Sequence, residues 1–242
     1  MTDLLTVFEV ADYLRTTPTT IYRWLKQGKI RGIKIGKEWR IYESSLSDLT
    51  HINTNMKVND HLWTRLNKSE HLLVITNCEE DIYKLETSFF KHAMNQGKRM
   101  LKGCWWQDMD QIREKYNSNG IDIEYLESKG LFTLVDFDAQ YKKYGINGPV
   151  YSWITEIEKN KNDVLWASGS PEMKCCGYDE AELIRFETKL NNTIQKMPVV
   201  GICPYVIKEF SEDSFNTIVS LMQQHSGTVF FSRDNNTTLL RN

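Results

Sequence analysis

The stretch that most constrains the fold lies between residues 6 and 41. Its sequence, TVFEVADYLRTTPTTIYRWLKQGKIRGIKIGKEWRI, predicts a helix, a tight turn, a second helix and a hairpin. In the first segment, apolar residues recur at helical spacing at Val7, Val10, Ala11 and Leu14. Thr17 then offers a side-chain oxygen that can cap a helix, and Pro18 suits the first helical position because its missing N–H costs nothing there.

The second helix, residues 18–27, is predicted to turn Ile21, Trp24 and Leu25 inward. Hydrogen-bonding and cationic side chains are left on its outer face. After it, residues 33–41 alternate apolar and charged side chains around Gly36, which is typical of a two-stranded wing.

Positive charge is concentrated in this module. Residues 15–42 hold eight bases and one acid, a local net charge of +7, whereas the whole chain carries −2. A basic patch of this kind suits neutralisation of nucleic-acid phosphates. The alternative, a small helical domain whose cations are merely solvated, is disfavoured because capping, turn, outer face and wing all agree.

The segments FEVADYL, TTIYRWL and KIGKEWRI resemble the winged helix-turn-helix of excisionase and MerR-like proteins. The resemblance implies double-stranded DNA as a partner, with the second helix in the major groove and the wing on phosphates or the minor groove. Because one such module makes few contacts, we expect a homodimer. The candidate DNA-binding residues are Arg15, Thr17, Thr19, Thr20, Tyr22, Arg23, Lys26, Lys34, Lys37 and Arg40.

The chain as a whole has room for this module and one ordinary domain. We expect a DNA-binding domain at 1–50, a polar linker at 51–60, a larger domain at 61–232 and a mobile tail at 233–242. No apolar run approaches a membrane span, and no secretory signal is recognisable at the start. Five cysteines without framework spacing suit a reducing compartment, so a cytoplasmic location without membrane contact is expected.

In the larger part, strand-like and helix-like segments alternate. This order predicts a three-layer α/β domain with a mostly parallel sheet. The predicted strands are 72–76, 99–106, 121–125, 131–137, 164–168, 199–205 and 228–231, and the predicted helices are 79–96, 109–117, 150–159, 180–195 and 212–224.

Such a domain holds ligands at the carboxyl ends of its parallel strands. The residues there mix aromatic and polar groups, as in a small-molecule pocket. Trp105 and Asp136 have an ordinary alternative, because the first could be core and the second could cap a turn. The candidate ligand-binding residues are Asn77, Trp105, Trp106, Asp136, Ser168, Glu172, Met173, Cys203 and Tyr205.

Several other chemistries are disfavoured. The turn after the first strand, TNCEED, has three acids and no glycine, so it cannot cradle a triphosphate. Cys175 and Cys176 could sense a metal or an oxidant, but reduced structural thiols are favoured because no partner motif accompanies them. His71, His92 and His225 are far apart in sequence and are interpreted as separate structural residues. We therefore predict no catalytic site, no metal site and no cofactor.

A second resemblance covers roughly residues 61–231. EHLLV with the acidic turn, FFKHA, GKR, WASGSPEM, the segment 187–191, VGICPY and the late His225 are similar, in this order, to the methanogen/methylotroph sensory (MEDS) domain. It implies a RecA-like fold without a nucleotide-binding loop, and sensing of a small apolar or hydrocarbon-derived ligand.

Together these features predict a ligand-responsive DNA-binding transcription regulator. The alternative is an excisionase-like or architectural DNA-binding protein whose α/β domain binds other proteins. An enzyme fused to a DNA-binding module is least favoured.

Overall fold

The computed structural model divides into two compact units, Met1–Met56 and Lys57–Asn242. It describes residues 4–14, 16–26, 30, 32–42, 60–66, 69–177, 179–209, 214–231 and 237–241. Within these ranges no helix has the length and apolar character needed to cross a membrane. The predicted linker lies outside the described residues as far as position 59.

The first unit is a helix pair beside a small antiparallel sheet. Its elements are β1 (Leu4–Thr6), α1 (Val7–Tyr13), α2 (Pro18–Lys26), β2 (Gly32–Ile35) and β3 (Glu38–Tyr42). The sheet order is β1-β3-β2. The wing therefore has three strands where the sequence predicts two, because the chain start pairs with β3, Leu5 opposite Ile41.

Local hydrogen bonds explain where the two helices begin. The Thr6 hydroxyl accepts from the Glu9 N–H at 3.1 Å, and the Glu9 carboxylate accepts from the Thr6 N–H at 2.7 Å, forming a capping box. These bonds lower the pKa of Glu9. Thr17 accepts from the Thr20 N–H at 3.3 Å, which confirms it as a capping residue. The unit's core consists of Val7, Val10, Ala11, Ile21, Ile30 and Ile41.

The second unit is built on a seven-stranded sheet. Its strands are β4 (Ser69–Thr76), β5 (Met100–Cys104), β6 (Phe132–Asp136), β7 (Leu165–Ser168), β8 (Val199–Val206), β9 (Gly227–Phe231) and β10 (Thr237–Arg241). The order is β10-β9-β4-β8-β7-β5-β6, parallel except for the antiparallel pair of β9 and β10.

Helices cover both faces of this sheet. They are α3 (Asp60–Trp63), α4 (Glu79–Asn95), α5 (Met109–Ser118), α6 (Ile123–Ser128), α7 (Phe137–Tyr144), α8 (Asn147–Glu158), α9 (Glu180–Ile194) and α10 (Phe215–Gln223). Phe89 and Tyr116 belong to the apolar core on one face, with α3 to α6. Trp153, Phe186 and Leu221 belong to the core on the other face, with α7 to α10. The three-layer, mostly parallel prediction is confirmed.

The sequence prediction lacks three helices, α3, α6 and α7, and hydrogen bonds explain the last two. Residues 121–125, predicted as a strand, instead contain the start of α6. The Asp122 carboxylate accepts from the Tyr125 N–H at 3.0 Å and caps this helix, and Ile123 and Leu126, one turn apart, are buried. The sequence prediction also omits α7, which begins where Asp136 accepts from the Ala139 N–H at 2.8 Å. In both cases a short helix depends on an aspartate cap rather than on a long apolar repeat.

Part of the mobile tail that the sequence predicts at 233–242 is a strand, and residues 233–236 and 242 lie outside the described residues. Residues 237–241 form β10, and Leu239 pairs with Val229. Strand β10 occupies the edge of the sheet, where it satisfies backbone groups that β9 would otherwise leave unpaired. Arg241 adds an ion pair to Glu70 at 2.5 Å. A short polar sequence concealed this pairing.

Candidate DNA-binding and ligand-binding sites

The outer face of α2 presents the predicted DNA-reading side chains. Thr19, Tyr22, Arg23 and Lys26 are exposed, whereas Ile21 is fully buried. This is the arrangement that a recognition helix requires, because its inner face packs and its outer face stays available for base edges and phosphates.

The remaining candidates divide between the turn and the wing. Thr17 is exposed, but its hydroxyl caps α2. The hydroxyl of the half-buried Thr20 forms a hydrogen bond with the Thr17 hydroxyl at 3.0 Å. Lys34 and Lys37 on the wing are exposed. Arg40 is half-buried and pairs with Glu38 at 2.7 Å, which reduces its positive field. Arg15 lies outside the described residues.

An open pocket of about 380 Å³ lies at the carboxyl ends of β5 and β6 in the second unit. We refer to it as the edge pocket. It brings together three predicted ligand residues, Trp105, Trp106 and Asp136. The whole lining is Cys104, Trp105, Trp106, Gln107, Asp108, Met109, Asp110, Asp136 and Asp138.

The edge pocket combines an aromatic wall with carboxylates. Trp106 packs edge-on against Tyr83, with ring centres 6.0 Å apart. Asp108 and Asp136 cap α5 and α7 through Oδ1, and Oδ2 of each carboxylate takes no part in the cap. Buried Gln107 adds a side-chain amide to the lining. These groups suit a ligand with a cationic or hydrogen-bonding end more than a wholly apolar one.

A neighbouring pocket of about 480 Å³ lies beside the turn that follows β4. It is lined by Cys78, Glu79, Glu80, Tyr83, Lys115, Val206 and Lys208. Lys115 lies 3.5 Å from the Tyr83 ring centre and 3.6 Å from the Glu80 carboxylate, so its charge is already engaged. Two carboxylates at the start of α4 and a turn without glycine leave no cradle for a triphosphate.

Ser168, another predicted ligand residue, instead belongs to a buried polar network. Its hydroxyl donates to Glu86 at 2.5 Å. Glu86 also receives hydrogen bonds from Lys102 at 2.7 Å and Tyr116 at 2.8 Å. Glu86, Lys102 and Tyr116 are nearly inaccessible to solvent. The network satisfies a buried ion pair, and none of these four residues lines the two pockets described above.

Cys203 and Tyr205 lie on β8 in a second buried cluster, together with His71, Glu187 and His225. Nε2 of His71 lies 3.2 Å from the Cys203 sulfur and 3.5 Å from Oε2 of Glu187. Nε2 of His225 is also 3.5 Å from Oε2 of Glu187. One potential metal-ligating atom from each of His71, Glu187, Cys203 and His225 lies within 4.8 Å of the others. We refer to these four residues as the His-Glu-Cys cluster.

Each residue of the His-Glu-Cys cluster comes from a different element. His71 lies on β4, Cys203 on β8 and Glu187 on α9, while His225 follows α10. Burial lowers the pKa of His71 to about 4 and raises the pKa of Glu187 to about 7. Burial also lowers the pKa of His225 and raises the pKa of the Cys203 thiol. Both imidazoles are therefore neutral at pH 7 and present electron pairs.

Comparison with known proteins agrees with the two-part organisation. A family model described as the methanogen/methylotroph, DcmR sensory (MEDS) domain matches residues 70–225. The chain belongs to the MEDS family. A helix-turn-helix model matches residues 4–50. Together the matches support a DNA-binding protein that carries a sensory-type MEDS domain.

Individual proteins are also similar to parts of this chain. Two proteins from Mycobacterium tuberculosis strains (CDC 1551 / Oshkosh and ATCC 25618 / H37Rv), whose names propose DNA binding, are each 33% identical over 48 residues. That match covers 20% of this chain and 62% of each relative. A KaiC-like protein from Pyrococcus horikoshii OT3 superposes with a TM-score of 0.53 at 14% identity, covering 73% of this chain and 80% of its own. The MEDS domain thus has a RecA/KaiC-like fold.

The structure scatters the other predicted ligand residues of the MEDS domain. Asn77 lies half-buried directly after β4, and Glu172 lies buried after β7. The side chain of Met173 is outside the described part of the chain. The eight candidates whose side chains are described therefore form no single site in the fold.

Sequence reasoning missed three members of the His-Glu-Cys cluster. His71 and His225, interpreted as separate residues, have ring centres only 4.2 Å apart, because β4 and β9 are neighbouring strands. A signal was present, since three of the short segments that carry the MEDS resemblance contain His71, Glu187 and His225 respectively.

Cys176 has the properties of a structural thiol. It is buried, and its pKa is raised to about 12, mainly by burial and secondarily by the nearby Cys175. Redox-sensing cysteines have a lowered pKa and are exposed, so Cys176 lacks the thiolate that oxidation requires.

Proposed function

We propose that this protein is a ligand-responsive transcription regulator in which the MEDS domain binds a small molecule and alters the affinity of the helix-turn-helix unit for an operator. The observation that carries the proposal is the pairing, in one chain, of an exposed basic recognition helix with a MEDS domain that holds an aromatic, acidic edge pocket. The proposal assigns no catalytic step to the chain.

The DNA half of the proposal rests on α2 and the wing. Arg23 and Lys26 on α2 and Lys34 and Lys37 on the wing are exposed cations. Arginine can read guanine with two hydrogen bonds, whereas lysine acts mainly on phosphates. We therefore assign Arg23 to base readout and the wing lysines to backbone contacts. A homodimer on a two-fold operator would double these contacts.

The ligand half rests on the edge pocket. Trp106 supplies an aromatic wall, and Asp108, Asp110 and Asp136 supply negative charge around it. A small organic cation, such as an alkylammonium ion, satisfies both features because its alkyl groups fill the pocket while its charge faces the ring and the carboxylates. The ligand acts only if it binds the DNA-competent and DNA-incompetent arrangements with different affinity.

The DNA assignment is tested on an operator selected from random DNA with the full chain. Replacement of Arg23 by alanine is expected to weaken operator binding roughly ten- to hundredfold, as loss of a base contact does. Lys161→Ala, which removes an exposed cation from the MEDS domain, is the matched control and should bind normally. Equal affinity of Arg23→Ala and wild type in fluorescence anisotropy would remove α2 as the reader.

The ligand assignment is tested by thermal shift with alkylammonium salts, from methylammonium to tetramethylammonium, beside neutral alcohols of matched size. We expect a concentration-dependent rise in Tm with at least one salt, which Trp106→Ala abolishes. A rise that survives in Trp106→Ala would place the ligand elsewhere.

The competing function is an architectural DNA-binding protein whose MEDS domain contacts other proteins. The exposed basic helix fits it equally well, and the edge pocket is what favours the regulator. No Tm rise with any compound, combined with normal operator binding, would favour the architectural role.

A further inference from the structure

We infer that the His-Glu-Cys cluster is a closed site for one divalent transition-metal ion of the zinc class, held by Nε2 of His71, Oε2 of Glu187, Sγ of Cys203 and Nε2 of His225. The inference is independent of the proposed function, because the cluster and the edge pocket share no residue.

Three of the distances between the four atoms are close to those of tetrahedral coordination. Bonds of about 2.0–2.1 Å to nitrogen or oxygen and about 2.3 Å to sulfur place neighbouring ligand atoms roughly 3.3–3.6 Å apart. Three of the six separations in the cluster are 3.2, 3.5 and 3.5 Å, and all six are at most 4.8 Å. Binding of an ion therefore requires the side chains to draw together at the longer separations.

The outer contacts orient both imidazoles toward the centre. Nδ1 of His225 lies 2.6 Å from the Leu221 carbonyl oxygen, which can only accept, so Nδ1 carries the hydrogen and Nε2 carries the electron pair. Nδ1 of His71 faces the Asn191 carboxamide oxygen at 3.3 Å with the same result. Metal-ligating histidines are held by this kind of second hydrogen bond.

The carboxylate is oriented in the same way. The Tyr205 hydroxyl donates to Oε1 of Glu187 and leaves Oε2 facing the two histidines. The Cys203 thiol carries one hydrogen, so it can donate only one hydrogen bond. When the Glu187 carboxylate is ionised, its contact with His225 Nε2 brings two electron-pair donors together, and a cation between them removes that repulsion.

The donor set selects the metal class. Two imidazoles and a thiolate suit Zn²⁺ and neighbouring transition ions, whereas Mg²⁺ and Ca²⁺ prefer oxygen. All four positions are occupied by protein and buried, so no coordination position is left open for a reacting water. The ion would join β4, β8, α9 and the segment after α10, and thus act on the stability of the MEDS domain.

The test uses the purified full chain, its elemental metal content, and Co²⁺ as a spectroscopic probe after chelator treatment. We expect about one equivalent of metal, a thiolate-to-cobalt charge-transfer band and tetrahedral ligand-field bands. Restoring Zn²⁺ should raise Tm by about 5 °C or more. Cys203→Ser should lose the charge-transfer band, and His225→Asn should lower the stoichiometry.

Cys176→Ala is the matched control, because it removes another buried thiol and should keep the full spectrum. A band that persists in Cys203→Ser, or that disappears in Cys176→Ala, would overturn the assignment. So would wild-type protein that takes up neither metal. X-ray absorption on the wild type covers the case in which variants do not fold: one sulfur at about 2.3 Å supports the site, and zero or two sulfurs contradict it.

Discussion

The two units place their polar chemistry in opposite locations. Among the described residues of the helix-turn-helix unit, six form a buried core, whereas the cations Arg23, Lys26, Lys34 and Lys37 are exposed. The MEDS domain buries ionisable groups, including Lys102, Glu86 and Glu187, and pairs them with side chains from other helices and strands. An exposed site can be built on a small scaffold, whereas a buried polar site requires a large core around it.

The largest effect that follows from this comparison concerns Glu86. Replacement by alanine leaves Lys102 buried without its carboxylate, so the free energy of unfolding of the MEDS domain should fall by about 3–5 kcal/mol. Urea denaturation followed by tryptophan fluorescence measures it. Glu158→Ala, which removes an exposed carboxylate, serves as the control and should change stability by less than about 0.5 kcal/mol. Similar results for both variants would contradict a buried ion pair.

The sequence predicts the local features of the helix-turn-helix unit better than the buried polar sites of the MEDS domain. Thr17, Pro18 and Ile21 lie within five positions of one another, so capping and packing of α2 are visible as a local pattern. The parallel sheet was predictable because its strands are apolar runs of the expected length. The His-Glu-Cys cluster was not, because its residues lie up to 154 positions apart and meet only when β4, β8 and β9 align.

The edge pocket could be predicted from the sequence only in part. The rule for parallel sheets correctly placed Trp105, Trp106 and Asp136 at one edge. The same rule also placed Ser168 in the pocket, because its strand β7 ends at the same edge. The Ser168 hydroxyl instead donates to Glu86. The direction of a side chain at a strand end depends on its packed neighbours, which the sequence does not show.

A second prediction addresses the small core of the first unit. Ile41 is fully buried between the helices and the sheet, so Ile41→Ala should cost about 2–4 kcal/mol in that unit. Hydrogen exchange should show lost protection in α1 and α2, with the amides of β4 and β8 unchanged. Loss of protection in β4 as well would show that the two units do not unfold independently.

The smallest effect concerns the cap of the recognition helix. Thr17→Ala removes the oxygen that accepts from the Thr20 N–H and should destabilise the first unit by about 1 kcal/mol. Thr17→Ser keeps the oxygen and should restore stability, as measured by hydrogen exchange of the α2 amides. If serine and alanine behave alike, the hydroxyl is not the cap.

Control of the helix-turn-helix unit by the MEDS domain can be measured in one coupled titration. Operator affinity of the full chain is measured by fluorescence anisotropy with and without saturating alkylammonium salt, at constant ionic strength. We expect a change of roughly 5- to 150-fold in wild type and none in Trp106→Ala. Operator affinity that stays constant with every salt and every matched alcohol, in a protein whose Tm those compounds do raise, would contradict it.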